Sequence, residues 1–335
     1  MELIIIAVLI LMVGLGFGIG SNDETMATLY GSRIIKPKYV IGLAAVLAFI
    51  GVMFMSERVG KTIGENLLGQ DVEYSIYMLL AIIISTTIWL IVASITGAPI
   101  STTHSVVGAV FGVALVWSFG PGASFGSSMD WGTVGKVALG WVISPILGFI
   151  GAFIFKSIMD KILSRMQKGL DRLEKIERIF GILLILVISW TQISRAGNDS
   201  ANALGIMYGL IETGQIPENL SGYLVAVTAL LKGLGIIAIG RIVIKNVGNN
   251  LISLKPSDAF SIELSTAIVL FVATMVGLPI SGSQVLIFSV VGAGMVKGER
   301  PDKKTFVRII ISWIITFPVA AALSALIYGV TLAII

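Results

Sequence analysis

Recurrent apolar stretches are the feature that most constrains the fold of this chain. Runs such as LIIIAVLILMVGLGFGIG and IFGILLILVISW recur along its 335 residues, of which 56% are hydrophobic and 13% charged. A soluble protein carries about 25% charged residues, whereas a helix of about 20 apolar residues can cross a membrane. The runs lack the alternation of a transmembrane β-strand. We therefore predict an all-α, polytopic integral membrane protein with about 10–12 membrane segments.

Lysine and arginine are concentrated in a few short loops, which predicts the topology. Most of the 23 basic residues lie in 33–38, 156–178, 241–255 and 297–308, whereas loops 118–132 and 213–219 have none. Basic loops are retained on the cytoplasmic side of a membrane. We expect a multi-pass protein of the cell (inner) membrane with both termini extracytoplasmic and 156–178 cytoplasmic. The second half of the chain then enters the membrane in the opposite orientation to the first.

The basic segment 156–178 divides the chain into two halves. Its apolar residues recur every three or four positions among charged residues, which predicts an amphipathic helix at the cytoplasmic face. We expect an N-terminal membrane repeat over 1–155, a connector over 156–178 and a C-terminal inverted membrane repeat over 179–335.

Three short motifs occur in the same order in each half. GSNDETMA (20–27) matches AGNDSANA (196–203), GAPISTTH (97–104) matches GLPISGSQ (277–284), and GWVISP (140–145) loosely matches SWIITFP (312–318). The separations between the copies are nearly constant, and the charge pattern gives the halves opposite orientations. Together these observations predict an inverted-topology repeat. Transporters with this architecture place their binding site near the membrane midplane, at broken or re-entrant half-helices.

The duplicated Asn-Asp pairs place carboxylates inside apolar surroundings. An aspartate at the centre of a membrane helix costs about 2.5–3.5 kcal/mol on insertion scales, so it usually has a partner or an ion. Glycines precede both pairs and permit a backbone break that frees carbonyl groups. Such oxygen atoms are ligands of hard cations and could also relay protons. We predict a sodium site at Asn22, Asp23, Asn198 and Asp199. Helix capping near an interface explains one copy more readily than two.

The Pro-Ile-Ser elements predict helix starts within the membrane. Proline disfavours helix at the preceding residue, and the serine or threonine that follows is a good N-cap. The unpaired N–H groups of a helix start bind anions. We expect both starts, without an arginine, to bind a small tetrahedral oxyanion. The predicted ligands are Ser101, Thr102, Thr103 and His104 in one half and Ser281, Gly282, Ser283 and Gln284 in the other.

Three further observations limit the possible chemistry. The only histidine, His104, has Gln284 at its paired position, which favours hydrogen bonding over proton transfer. Arg195 could steer anions or neutralise Asp199, although an arginine at this place more commonly reaches the membrane interface. The absence of cysteine excludes disulfides and thiolate metal sites. Membrane topology accounts for the basic residues, so we expect neither a nucleic acid partner nor a cofactor.

These motifs resemble those of the inorganic phosphate transporter (PiT) family of sodium– or proton–phosphate symporters. GNDSANA (197–203) and PISTTHS from Pro99 match its duplicated signatures, and the resemblance covers nearly the whole chain. Two departures make the halves chemically different: the first copy lacks a residue equivalent to Asn202, and Gly282-Ser283-Gln284 replaces Thr-Thr-His. The resemblance implies a homodimer in the lipid bilayer that takes up inorganic phosphate with a cation gradient.

The leading hypothesis is secondary active import of inorganic phosphate by symport with sodium ions and alternating access. Proton coupling, or sulfate as the anion, is an alternative, since Asp23 and Asp199 would serve protons as readily as sodium. A passive anion channel would also use broken helices, but it would not accumulate its substrate. An intramembrane enzyme is not expected, because one catalytic centre does not need duplicated motifs.

Overall fold

The computed structural model describes residues 2–69, 72, 75–97, 99–166, 170–212, 214, 216–250, 254–300 and 302–334. These ranges form α-helices joined by turns, with an isolated β-bridge between Leu68 and Met129. The helices are α1 (Glu2–Ser21), α2 (Ala27–Ser32), α3 (Pro37–Met55), α4 (Glu57–Asn66), α5 (Ile76–Ile95), α6 (Thr102–Trp117), α7 (Trp131–Met166), α8 (Leu170–Glu212), α9 (Ser221–Gly235), α10 (Arg241–Asn250), α11 (Pro256–Met275), α12 (Gly282–Lys297) and α13 (Lys303–Ile334). A π-helical turn, Ile236–Gly240, joins α9 to α10.

The long helices identify a multi-pass membrane protein, as predicted. Seven helical stretches of the described chain are long and apolar enough to cross a membrane: Pro37–Met55, Ile76–Ile95, Trp131–Arg165, Asp171–Ile211, Glu218–Asn249, Pro256–Met275 and Lys303–Ile334. Three shorter apolar helices are Leu9–Ser21, Thr102–Trp117 and Gly282–Lys297. Large apolar side chains such as Phe54 (81% exposed) and Val276 (71% exposed) face outward, where lipid rather than water is the compatible environment.

The helices α6 and α12 begin at the Pro-Ile-Ser elements, which confirms the predicted helix starts. Ser101 accepts a hydrogen bond from His104 N (3.2 Å), and Ser281 accepts one from Gln284 N (3.4 Å). Each helix has 16 residues and is therefore about 24 Å long, shorter than the hydrocarbon core of about 30 Å. Their N-cap residues are buried, with Ser101 1% and Ser281 2% exposed, so both helices begin inside the protein.

The second Asn-Asp pair lies in an uninterrupted helix, so the predicted backbone break there is wrong. In the first half, α1 ends at Ser21, directly before Asn22, whereas α8 continues without interruption through Asn198. Gly197 has a different purpose. A Cβ at this position would lie 2.6 Å from Met55 Cβ and 3.0 Å from its carbonyl oxygen. The glycine therefore allows α8 to pack closely against the end of α3.

The predicted connector 156–178 is not a separate helix among the described residues. Its first part forms the end of α7 and its last part the start of α8, while 167–169 lie outside the described residues. The apolar spacing that predicted an amphipathic helix thus belongs to two long helices. The domain boundaries 1–155 and 179–335 stay a prediction.

An ion-pair network joins this segment to the second half of the chain. Lys156 of α7 and Lys297 of α12 both contact the buried carboxylate of Asp258 in α11, at 3.0 and 2.9 Å. Glu177 of α8 accepts hydrogen bonds from the Ser257 amide (3.0 Å) and hydroxyl (2.8 Å). One end of the helix bundle is therefore held by charged groups from four helices.

Candidate functional site

Asn22 of the first Asn-Asp motif forms hydrogen bonds that hold the residues before α6 in its own half. Asn22 Oδ1 accepts a hydrogen bond from Ile100 N (2.8 Å), and its Nδ2 donates to Ser94 Oγ (3.0 Å). Ile100 is one of the non-helical Pro-Ile-Ser residues before α6. Because a residue outside a helix forms no helical hydrogen bond, its N–H needs another acceptor when it is buried. Asn22 supplies it.

The second motif makes the same contacts in the other half. Asn198 Oδ1 accepts a hydrogen bond from Ile280 N (3.3 Å), and its Nδ2 donates to Thr274 Oγ1 (3.2 Å). In the sequence match, Ile280 is the counterpart of Ile100 and Thr274 that of Ser94. Both asparagines were predicted as sodium ligands. The structure uses their amide groups to hold the residues that precede α6 and α12.

Replacing Asn198 by alanine should destabilise the protein by leaving Ile280 N–H buried and unpaired. Such a loss costs about 1–3 kcal/mol. We expect Asn198→Ala to lower the thermal midpoint of the purified protein, whereas Asn249→Ala, at an exposed position of α10, should change its stability by about 0.5 kcal/mol or less. Equal changes in the thermal midpoint of the two variants would show that the hydrogen bond from Ile280 to Asn198 does not stabilise the protein.

The two helix starts meet through a reciprocal pair of hydrogen bonds. Thr103 Oγ1 donates to Ile280 O (3.1 Å), and Ser283 Oγ donates to Ile100 O (3.1 Å). Each hydroxyl thus binds the carbonyl group just before the other helix. The structure therefore brings the two predicted phosphate-binding segments, Ser101–His104 and Ser281–Gln284, into one cluster.

His104 is held in place by neighbours on two sides. Its ring stacks on Trp141, with ring centres 3.9 Å apart and an interplanar angle of 24°. Its Nδ1 lies 2.5 Å from the hydroxyl of Ser101. These contacts fix the ring beside the start of α6 and agree with the predicted hydrogen-bonding role.

Of the alternatives considered for Arg195, the structure supports pairing with Asp199 and not a position at the membrane interface. Only 3% of this residue is exposed, because carboxylates from both halves hold the guanidinium inside the protein. Arg195 Nη2 lies 2.8 Å from Glu24 Oε1, and Nε lies 3.0 Å from Asp199 Oδ2. Glu24 follows the first Asn-Asp pair directly. The two motifs therefore converge on one buried charge, as a shared pocket requires.

The start of α12 has an arginine against it, contrary to the expected arginine-free anion site. Arg195 Nη2 donates to Ser283 Oγ (2.9 Å), and a Cβ on Gly282 would lie 2.6 Å from Arg195 Nε. A cation at a helix N-terminus opposes the helix dipole, so this placement requires negative charge nearby. Arg195 Nη1 is buried and has no hydrogen-bond partner among the described residues. One donor is thus available to an anion.

A second buried cation, Lys232 of α9, lies beside Asp23. Its side chain is fully buried, its Nζ donates to Ala196 O (3.3 Å), and Asp23 Oδ2 is 3.8 Å away. Asp23 also accepts hydrogen bonds from Thr25 Oγ1 (2.6 Å) and Gln192 Nε2 (3.0 Å). The predicted sodium ligand Asp23 is therefore surrounded by donors from the chain itself.

Three polar residues of this region, Gln192, Lys232 and Glu263, were missed by sequence reasoning. Glu263 of α11 is fully buried and accepts a hydrogen bond from Thr28 Oγ1 (2.6 Å). The signal was available, because an ionisable residue within a membrane helix usually marks a functional site. LLKGLG and SIELST each place one such residue in an apolar stretch.

The family model described as "Phosphate transporter family" matches residues 18–324. The chain belongs to the phosphate transporter family. The match includes both Asn-Asp pairs, both helix starts and the two buried cations. The function of such a protein is transport, not catalysis, which agrees with the expectation that the chain is no enzyme.

Known phosphate transporters match the chain over nearly its full length. The "Probable low-affinity inorganic phosphate transporter" of Bacillus subtilis is 28% identical, covering 97% of this chain and 97% of that protein. A solved structure, "The sodium-dependent phosphate transporter", is 27% identical, covers 100% of both chains and has a TM-score of 0.85. The architecture of the chain is therefore that of a phosphate transporter.

Proposed function

We propose that the chain imports inorganic phosphate by symport with sodium ions through alternating access. The observation that carries this proposal is the buried Arg195 at the start of α12, which retains an unpaired Nη1 donor. An unpaired buried donor costs about 1–3 kcal/mol, so a bound acceptor accounts for its presence. The family match and the name of the sodium-dependent structural relative support phosphate and sodium as the transported ions.

Phosphate in this proposal binds between the guanidinium of Arg195 and the starts of α6 and α12. Because Nη2 and Nε of this guanidinium already contact Glu24, Ser283 and Asp199, its Nη1 would donate a charge-assisted hydrogen bond to a phosphate oxygen. The N–H groups of a helix start add further donors without another fixed charge. Thr103 and Ser283 hold the two starts together, so both can contact one small anion.

Sodium is required in this proposal because the site already carries more negative than positive charge. Three carboxylates, of Asp23, Glu24 and Asp199, contact the two cations Arg195 and Lys232. Phosphate adds negative charge, and uncompensated charge is very costly in a buried site. Two buried oxygens, Gln192 Oε1 and Asn202 Oδ1, have no hydrogen-bond partner among the described residues. Such oxygens suit a hard cation.

We further propose that the halves are inverted repeats with both termini extracytoplasmic and 156–178 cytoplasmic. The basic loops support this orientation. The equivalent contacts of Asn22 and Asn198, and the reciprocal bonds between α6 and α12, support a pseudo-twofold relation between the halves. A site on the pseudo-twofold axis can open to either side of the membrane while its ligands stay in place.

Uptake of radiolabelled phosphate by proteoliposomes tests the ion coupling. We expect an inward sodium gradient to drive accumulation several-fold above equilibrium, and a sodium ionophore to abolish it, because the bound cation neutralises the anion. Uptake at equal rates with sodium or choline would contradict sodium coupling. Saturable uptake without accumulation, under any gradient, would contradict active transport and favour a passive pathway.

Proton coupling is the second candidate, and Glu263 is the observation that favours it. Its Oε2 is buried without a hydrogen-bond partner among the described residues, as suits a carboxyl group that carries a proton. The same liposomes with a pH gradient and no sodium distinguish the two cations.

Sulfate, in tenfold excess, should inhibit phosphate uptake only weakly, because only phosphate keeps an O–H that can donate to a carboxylate such as Glu24.

A further inference from the structure

The two halves differ at one position beside the Asn-Asp motifs. Gly51 and Gly235 are equivalent, because a Cβ on either would lie 2.2 Å from a backbone oxygen: that of Ile193 for Gly51 and that of Phe17 for Gly235. Phe17 and Ile193 each stand five residues before the asparagine of a motif. These contacts make α3, which contains Gly51, the counterpart of α9, which contains Gly235. They also align the two helices residue by residue, without reference to a sequence match.

Three residues before each of these glycines, the halves carry different side chains. The second half has Lys232, and the first half has Ala48. Both residues are fully buried. Lys232 extends to Asp23, whereas an alanine at the equivalent place has no group that could contact Asp199. The ammonium beside Asp23 thus comes from a position that has no charged counterpart in the other half, where Asp199 pairs instead with Arg195 of its own helix.

The ammonium of Lys232 has surroundings that also suit a metal cation. It contacts a backbone carbonyl oxygen, Ala196 O (3.3 Å), and a carboxylate oxygen, Asp23 Oδ2 (3.8 Å). Carbonyl and carboxylate oxygens are the ligands of hard cations in proteins. A tethered ammonium stays with the protein in every conformation. It therefore neutralises charge without drawing on an ion gradient.

We propose that Lys232 takes the place of one co-transported sodium ion beside Asp23. This inference rests on the proposed sodium symport. Its consequence is that the transporter moves one sodium ion fewer per phosphate than it would with a small neutral residue at position 232. The lysine thereby sets the coupling ratio.

Equilibrium binding of ²²Na⁺ to the purified protein tests this proposal without requiring transport. Lys232→Ala should bind one more sodium ion per chain than the wild type, and phosphate uptake should depend more steeply on sodium concentration. Lys232→Gln, which removes the charge but retains a longer polar side chain than alanine, should also bind one more sodium ion. Lys232→Arg keeps the charge and should bind the same number of ions as the wild type.

A matched double variant shows whether the additional ion uses Asp23. Lys232→Ala combined with Asp23→Asn removes the ammonium and the carboxylate together, keeps the charge balance, and should not gain the ion. An unchanged sodium count in folded Lys232→Ala or Lys232→Gln would overturn the proposal. A wild type whose uptake is indifferent to sodium would contradict the symport instead, and a gain of one ion in Lys232→Ala would still support the role of Lys232.

Discussion

Arg195→Gln should abolish gradient-driven phosphate uptake. Glutamine removes the positive charge that Glu24 and Asp199 share, and breaking a buried ion pair by removing one partner costs about 3–5 kcal/mol. The phosphate anion would lose its charged ligand as well. A loss of about 3 kcal/mol in phosphate binding corresponds to a more than 100-fold weaker affinity. Calorimetric titration with phosphate measures the loss of affinity, and uptake in proteoliposomes measures the loss of transport.

The chain provides a matched control for this substitution in a surface ion pair. Lys61 and Glu57 have the same four-residue spacing as Arg195 and Asp199, but their side chains are 51% and 67% exposed. Exposed pairs contribute about 0–1 kcal/mol, so Lys61→Gln should leave phosphate uptake unchanged. Arg195→Lys keeps the charge but loses the planar fork and should have an intermediate affinity. Similar losses in Lys61→Gln and Arg195→Gln would contradict a specific role for Arg195.

Gly20→Ala should destabilise the protein strongly through a single methyl group. A Cβ at residue 20 would lie 2.0 Å from the backbone oxygen of Lys232, so α1 and α9 would have to separate. Overpacking costs about 1–3 kcal/mol, and the upper end is expected because backbone atoms cannot rotate away. The contact between Lys232 and Asp23 spans the same interface. The variant should therefore lose phosphate uptake together with thermal stability.

The same substitution at Gly14, in the same helix, separates packing from helix propensity. Apart from the backbone of its own helix, no atom of the described residues lies within 4 Å of a Cβ built at Gly14, and alanine stabilises a helix interior by about 0.5–1 kcal/mol relative to glycine. Gly14→Ala should thus be neutral or stabilising in a thermal unfolding scan. A decrease in the thermal midpoint as large as that of Gly20→Ala would rule out the close approach of α1 and α9 as the cause.

The features that sequence predicted correctly depend on short-range chemistry. Proline followed by a hydroxyl residue determined where α6 and α12 begin, since the cap and the first turn lie within four residues of Ser101 and Ser281. Long apolar runs determined the membrane helices. The two Asn-Asp motifs, predicted to share one pocket, do converge in space, since Glu24 beside the first pair and Asp199 of the second both contact Arg195.

The features that sequence did not predict depend on contacts between distant parts of the chain. The sequence around Gly197 indicates a helix break, but the role of this glycine depends on Met55 of another helix. Arg195 is buried because Glu24 and Ser283 reach it from other elements. Lys232 contacts Asp23 only through the packing of α9 on α1. Neighbouring residues in the sequence carry no information about these partners.

The reciprocal bonds of Thr103 and Ser283 restrict how α6 and α12 can move relative to each other. Sliding one helix along the other by a single turn, about 5.4 Å, would break both bonds and expose two buried carbonyl groups to apolar surroundings. Rotation about the line that passes through both bonds keeps both intact. The two bonds therefore tie the helix starts together and leave rotation about that line as the relative movement that preserves them.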